Sequence, residues 1–226
     1  MADPTTGETD RIRSYFGEAS WRRSAGRDLL VAERRELLEK LVRESLPPIA
    51  ELSVCDVGCG GGADLERWRS LGVAEERLFG TELVAERAEV ARGTVPRASI
   101  ARVDDFEIPF PDRSFDLVTA SLVLSSIRDP VGRRELLAEM WRVTDDGGMV
   151  AVYDFRVRKP WNRNVVAMSG RELGTTLGPP AAELRLAPLL PLLDLALRLP
   201  ATPRAALVAL LPRTHRLWIW HRELPR

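Results

Sequence analysis

Residues 53–65, SVCDVGCGGGADL, constrain the fold of this chain more than any other stretch. A short apolar run leads into a glycine cluster and then into a charged segment of helical character. That order reads as a buried strand, a tight loop and a helix. Glycines let the loop turn sharply and let a ligand approach the backbone. Gly58, Gly60 and Ala63 fit a dinucleotide-binding pattern. Gly58, Gly60 and Gly62 fit a second pattern, in which the acid Asp56 stands two positions before the first glycine. The glycines leave both patterns open.

Asp56 begins to separate them. At the strand end it lies beside the ligand, and a carboxylate there repels a pyrophosphate in a sheltered site. It favours a ligand bearing an ammonium and a sulfonium, such as S-adenosylmethionine. Glu82 follows Gly62 by 20 residues and ends a second strand. An acid there accepts from both ribose hydroxyls of a nucleoside, a role that nicotinamide and adenosyl cofactors share.

Alternation along the chain sets the fold class. Strands are expected at residues 52–57, 77–82, 98–103, from 115 and at 148–155, with helices from 63, at 83–92 and at 132–144, and a turn at Asp145–Gly148. Such alternation implies a mainly parallel sheet with helices on both faces and ligands at the carboxyl ends of the strands. An amphipathic helix at 28–44 precedes the first strand and stops at Pro47 and Pro48. Residues 1–10 are polar and are expected to be mobile.

Lys plus Arg and Asp plus Glu number 33 each in the 226 residues, so the formal net charge is zero. A neutral chain lacks the basic field that nucleic acid requires. The N-terminus carries no apolar export core, which implies a cytoplasmic protein. Cys55 and Cys59 are the two cysteines, and no third ligand accompanies them, so no metal site is expected. The leucine-rich stretch at 184–212 is broken by charges and prolines and is no membrane span.

The segments ARVDDFEIPFPDRSFDLVTASLVLSSIRDP and LLAEMWRVTDDGGMVAVYDF resemble the class I S-adenosylmethionine-dependent methyltransferases, specifically their small-molecule branch. The resemblance covers about residues 54–154. It implies a Rossmann-like, seven-stranded, mostly parallel sheet with an antiparallel last strand and helical lid elements. It also implies S-adenosyl-L-methionine as cofactor. By position, Asp56, Gly58, Gly60 and Gly62 border the methionine end. Glu82 and Leu83 take the ribose, Asp104 faces the adenine amino group, and Asp105 or Phe106 flanks the ring. Ser121 lies near the sulfonium, and Tyr15 is a lid contact. Where many relatives carry two histidines after the fourth strand, this chain has Ser125 and Ser126, so no histidine role transfers there.

A single domain is expected: an N-terminal helical segment (1–50), a cofactor-binding core (51–155) and acceptor-side elements (156–226) with a helical insertion at about 189–212. The sixth strand is placed at 183–188, after a helix near 169–176, and the reversed last strand at 215–224. That arrangement puts His215 on the ligand side and His221 at the opposite end. Asp154 ends the fifth strand beside the last one, so an Asp154–His215 pair is the candidate catalytic group. Trp161, Asn162 and Asn164 are candidate acceptor contacts, and Trp218 and Trp220 are candidates for core or interface. The expected reaction is O- or N-methylation of a small molecule in specialised metabolite biosynthesis, by a monomer or homodimer. A methyltransferase acting on protein or lipid, a nicotinamide-dependent oxidoreductase and a non-catalytic binding subunit are the competing classes.

Overall fold

Seven strands hydrogen-bond into one sheet in the order β3-β2-β1-β4-β5-β7-β6. The computed structural model describes residues 4–17, 24–157, 162–188, 190–200 and 207–224. The strands are β1 (Val54–Val57), β2 (Leu78–Glu82), β3 (Ser99–Arg102), β4 (Phe115–Ser121), β5 (Thr144–Phe155), β6 (Ala182–Pro188) and β7 (Arg213–His221). Strands β1 to β5 pair in parallel, and β7 runs antiparallel to both β5 and β6. This is the expected Rossmann-like α/β architecture. All four residues of the central β1 are buried, as befits a parallel strand covered on both faces.

Side-chain alternation along the strands builds two cores. Val54, Met149, Ala151, Tyr153, Leu217 and Ile219 face one layer of helices: α2 (Ala25–Ser45), α3 (Ala63–Ser70), α4 (Ala85–Thr94) and α7 (Leu190–Ala196). Cys55, Val57, Val150, Val152, Trp218 and Trp220 face the other: α1 (Pro4–Gly17), α5 (Pro130–Val143) and α6 (Gly170–Leu177). Both tryptophans of β7 are therefore core, and Trp220 Nε1 donates to Gly178 O at 2.9 Å. Each such large apolar side chain contributes about 1.5–3 kcal/mol on burial. Local chemistry starts the helices: Ser24 caps α2, Asp129 followed by Pro130 opens α5, and Ser169 caps α6.

Three expectations fail. The N-terminus is not a mobile tail from residue 4 onward, because α1 is strapped to the loops above the sheet. Glu8 accepts from Arg128 N, and Arg11 donates to Ser126 O and to Asn164 Oδ1. Arg13 donates to Asp104 O at 2.9 Å and to Asp104 Oδ1 at 2.8 Å. These anchors lie far away in sequence, so local polarity gives no sign of them. Residues 145–148 are not a free turn. They belong to β5, where Gly147 N donates to Arg222 O and Arg222 N to Gly148 O, each at 2.9 Å. The last strand begins at Arg213 and ends at His221, ahead of the expected span. The insertion is helical at α7 and at residues 207–210; Leu189 and residues 201–206 lie outside the described residues. Among the described residues, no helix is long and apolar enough to cross a membrane.

Candidate cofactor and acceptor site

A cavity of about 460 Å³ runs along the carboxyl ends of β1, β2, β4 and β5 and the start of β7. That volume suits a ligand the size of a nucleoside cofactor or drug. One end is floored by Asp56 of β1 with Gly58, Cys59 and Gly60 after it, by Glu82 of β2 with Leu83 after it, and by Asp105 and Phe106 after β3. The other end is built by Ser121 of β4 and Leu122 after it, Tyr153 and Phe155 of β5 and His215 of β7, with Leu30, Val31 and Arg34 of α2 alongside.

The loop geometry requires glycine at two positions for different reasons. Gly58 has φ 67°, and a Cβ there would lie 2.6 Å from Val123 Cγ2. Gly62 has φ 80° and caps α3; a Cβ would lie 3.2 Å from Ala91 Cα of α4. Gly60 meets nothing within 4 Å, so its surface stays open. Gly62 does not line the cavity, and it serves the packing of α3 on α4.

Glu82 is 5% exposed. Its Oε2 accepts from Gly60 N at 2.8 Å and its Oε1 from Val84 N at 2.9 Å. These bonds lock the carboxylate against the glycine loop and leave each oxygen a further lone pair for a ligand hydroxyl. Asp56 is buried, and Thr119 Oγ1 donates to its Oδ1 at 2.6 Å. Burial, the Asp64 charge and the Glu82 charge push its carboxyl up to about 7, against the opposing pull of Thr119 and Arg34. A cation placed beside Asp56 would return it to the ionised state.

An ion pair absent from the sequence expectations, Arg34 with Asp64, joins the two ends. Arg34 reaches from α2 and donates to Asp64 Oδ1 at 2.8 Å and Oδ2 at 2.7 Å; Arg35 donates to Asp64 Oδ1 at 2.7 Å. Burial opposes the Asp64 charge, but the two guanidinium groups hold its carboxyl below the usual range. Arg34 also donates to Ser121 Oγ and lies 5.5 Å from the Tyr153 ring centroid. The only sign of this in sequence is an arginine on the polar face of an amphipathic helix.

Four expected site residues are placed differently. The carboxylate of Asp104 is 70% exposed and paired with Arg13 and Arg102; it does not face the cavity. Asp105 lines it instead, with Oδ1 accepting from Glu107 N at 2.9 Å. The Tyr15 hydroxyl accepts from Asn162 Nδ2 at 3.1 Å and stays outside the lining, to which α1 contributes Ile12 and Phe16. Asp154 and His215 do not form a pair. Strand register sets Phe155 opposite His215 and Asp154 opposite Arg216, so the two side chains leave opposite faces of the sheet. Asp154 accepts from Ser125 N and Phe155 N, each at 2.8 Å, and holds the loop after β4. His215 lines the cavity, stacked on Tyr153 at 5.2 Å and 5° between planes, with Nδ1 2.9 Å from Thr214 Oγ1. Burial keeps the Tyr153 phenol protonated well above its ordinary range. Asn162 lines the cavity; Asn164 does not, and Trp161 lies outside the described residues.

Leu122, beside Ser121, adopts φ 61°, a left-handed conformation that costs a leucine about 1–2 kcal/mol. Its N–H donates to Tyr153 O at 2.8 Å, which fixes the end of β4 against β5 within the cavity.

The acids at the β1–β2 end suit an adenosyl cofactor. Glu82 and Asp56 are buried carboxylates beside Gly60, whose open backbone permits close approach of a ligand. A family model described as "Methyltransferase domain" matches residues 55–152. The demethylmenaquinone methyltransferase of Renibacterium salmoninarum is 28% identical over 149 residues, 65% of this chain and 59% of that protein. The ubiquinone/menaquinone biosynthesis C-methyltransferase UbiE of Campylobacter jejuni is 24% identical over 160 residues, 69% and 61% of the two chains. The malonyl-[acyl-carrier protein] O-methyltransferase of Serratia marcescens is 28% identical over 146 residues, 64% and 54%. The chain thus spans about 60% or less of the length of these curated relatives. Among solved structures, geranyl diphosphate C-methyltransferase from Streptomyces coelicolor superposes with a TM-score of 0.67 at 14% identity, covering 98% of this chain and 100% of that one. The [4+2]-cyclase SpnF superposes at 0.62 and 18% identity, covering 96% and 93%. That a cyclase shares the fold shows that architecture alone does not name a reaction. Residues 55–152 thus carry a methyltransferase-domain match, set in a chain with the Rossmann-like fold of the solved structures it superposes on.

Proposed function

We propose that this protein is a cytoplasmic enzyme that transfers the methyl group of S-adenosylmethionine to an oxygen or nitrogen of a small molecule, in specialised metabolite biosynthesis. The observation that carries this reading is the single cavity shared by two chemically different ends. Acids at β1 and β2 stand ready for a cationic cofactor, and an apolar and aromatic wall at β4, β5 and β7 stands ready for an acceptor.

Glu82 would hold the ribose hydroxyls, Asp56 the ammonium, and Asp105 and Phe106 the adenine. Arg34, beside Ser121 and between the two ends, would receive the methionine carboxylate. When bound, the cofactor supplies an electrophilic methyl group on a sulfonium whose departure leaves a neutral thioether. The protein's own work is then alignment and exclusion of water. Phe155, Leu30 and Val31 wall the acceptor from solvent. His215, fixed by its stack on Tyr153 and by Thr214, would accept the acceptor's proton at Nε2.

Incubating the purified protein with methyl-labelled S-adenosylmethionine and a panel of phenols, carboxylic acids and amines tests the reading. Label should appear in an organic-extractable product of at least one class. His215→Gln should lower turnover on that acceptor at least about tenfold while S-adenosylhomocysteine affinity stays within about twofold. Unchanged turnover would remove His215 from the reaction.

A further inference from the structure

Tyr153 carries a hydroxyl that the protein itself does not use. The residue is 6% exposed and lines the cavity from β5. Its backbone is set by parallel pairing with Ser121 of β4 and antiparallel pairing with Leu217 of β7. Its ring is held by the parallel His215 ring, with centroids 5.2 Å apart, and by the Arg34 guanidinium, 5.5 Å from the centroid. A side chain fixed in this way on a central strand presents its polar tip at one place. Among the described residues the phenol oxygen has no hydrogen-bond partner, and it is not sealed into the packing. Burial keeps the phenol protonated, against the weaker pull of Arg34, so it meets a ligand as a donor. The same end of the cavity is walled by the apolar Leu30, Val31, Phe155 and Leu190.

Resting on the methyltransferase reading, we propose that Tyr153 is a specificity-determining residue, whose hydroxyl donates a hydrogen bond to a carbonyl oxygen of an otherwise apolar methyl acceptor. In the free protein, water can serve the hydroxyl. An acceptor that fills the apolar end displaces that water, and the phenol then needs a partner from the acceptor itself. A carbonyl oxygen supplies two lone pairs and no competing donor. A purely hydrocarbon body in the same place leaves the hydroxyl buried and unpaired, which costs affinity. The parallel packing of Tyr153 on His215 also constrains the acceptor: its carbonyl and the atom that meets His215 lie close together on the molecule.

The test is equilibrium dialysis on the full chain saturated with S-adenosylhomocysteine, with 2-acetylnaphthalene and 2-ethylnaphthalene as probes. They share one apolar body and differ in the carbonyl. Tyr153→Phe keeps the ring and its contacts and removes the hydroxyl alone. It should weaken the ketone at least about fivefold and leave the hydrocarbon unchanged or more tightly bound. Affinity for S-adenosylhomocysteine should stay within about twofold. Because the hydroxyl has no partner within the protein, the ligand-free variant should melt at or above the parent. The proposal is overturned if the ketone loses less than about twofold, if both probes weaken alike, or if neither binds the parent. A fall in melting temperature beyond about 3 °C would mean that the hydroxyl serves the fold, and a loss confined to S-adenosylhomocysteine would mean that it serves the cofactor; either result overturns the proposal. Failure of the parent to bind S-adenosylhomocysteine would instead strike the methyltransferase reading.

Discussion

Glu82→Ala should weaken S-adenosylhomocysteine binding by on the order of a hundredfold, because hydrogen bonds to a charged group contribute about 1.5–3 kcal/mol each and every 1.4 kcal/mol is a tenfold change. Two ribose hydroxyls would lose their acceptor together. The substitution also removes the clamp that joins Gly60 N and Val84 N across the carboxylate, so the glycine loop loses its link to the end of β2. Glu82→Gln keeps one carbonyl acceptor and the side-chain shape, and its loss should be intermediate. Calorimetric titration of the three proteins reads the series directly. An alanine variant within about threefold of the parent would mean that the nucleoside does not sit on this carboxylate.

Gly62→Val should lower the melting temperature by about 10 °C, since a loss of about 3 kcal/mol shifts a domain of this size by roughly 2–4 °C per kcal/mol. Two costs combine. Gly62 stands at φ 80° as the cap of α3, a conformation that a β-branched residue resists by about 1–2 kcal/mol. Its new Cβ would press on Ala91 Cα at 3.2 Å, and backbone on backbone gives way only if α3 and α4 move apart, a strain of about 1–3 kcal/mol. Gly60→Ala isolates the first cost, since nothing stands within 4 Å of its added carbon. Scanning calorimetry that shows Gly62→Val melting with the parent would contradict the close approach.

These two glycines show how the sequence reads and where it stops. SVCDVGCGGGADL displays a strand, a loop and a helix start because each is a local pattern, and the alternation that follows displays the parallel sheet. The pattern does not say which glycine faces the ligand, and Gly62 turns out to serve helix packing. The same gap explains the adenine side. Asp104 and Asp105 are chemically alike and adjacent, and only the exit of β3 and the pull of Arg13 and Arg102 send the first outward. Asp154 and His215 were legible as neighbours across β5 and β7, but their separation rests on strand parity, which a shift of one residue in register reverses. Arg34 and Asp64 were not legible, because their ion pair joins α2 to the start of α3 and each residue alone looks like helix surface. Likewise α1 owes its place to contacts with residues beyond position 80 and carries little local signal.

The claim that Asp56 and Glu82 hold an adenosyl cofactor is tested most directly by titrating the ligand-free protein with S-adenosylhomocysteine at pH 6 and pH 8, and with NADH as the contrast. Asp56 carries a carboxyl pushed up to about 7, so it is mainly neutral at the lower pH and mainly ionised at the higher. In the ligand-free protein this raised value works against stability as pH rises: the contribution is fully present below the ordinary carboxylate range and is lost as pH passes through about 7. A ligand ammonium reverses the balance, because it prefers the ionised form. Affinity for S-adenosylhomocysteine should therefore be about tenfold higher at pH 8 than at pH 6, with one site per chain and no heat from NADH. Absence of S-adenosylhomocysteine binding, or an affinity that falls from pH 6 to pH 8, would contradict the account.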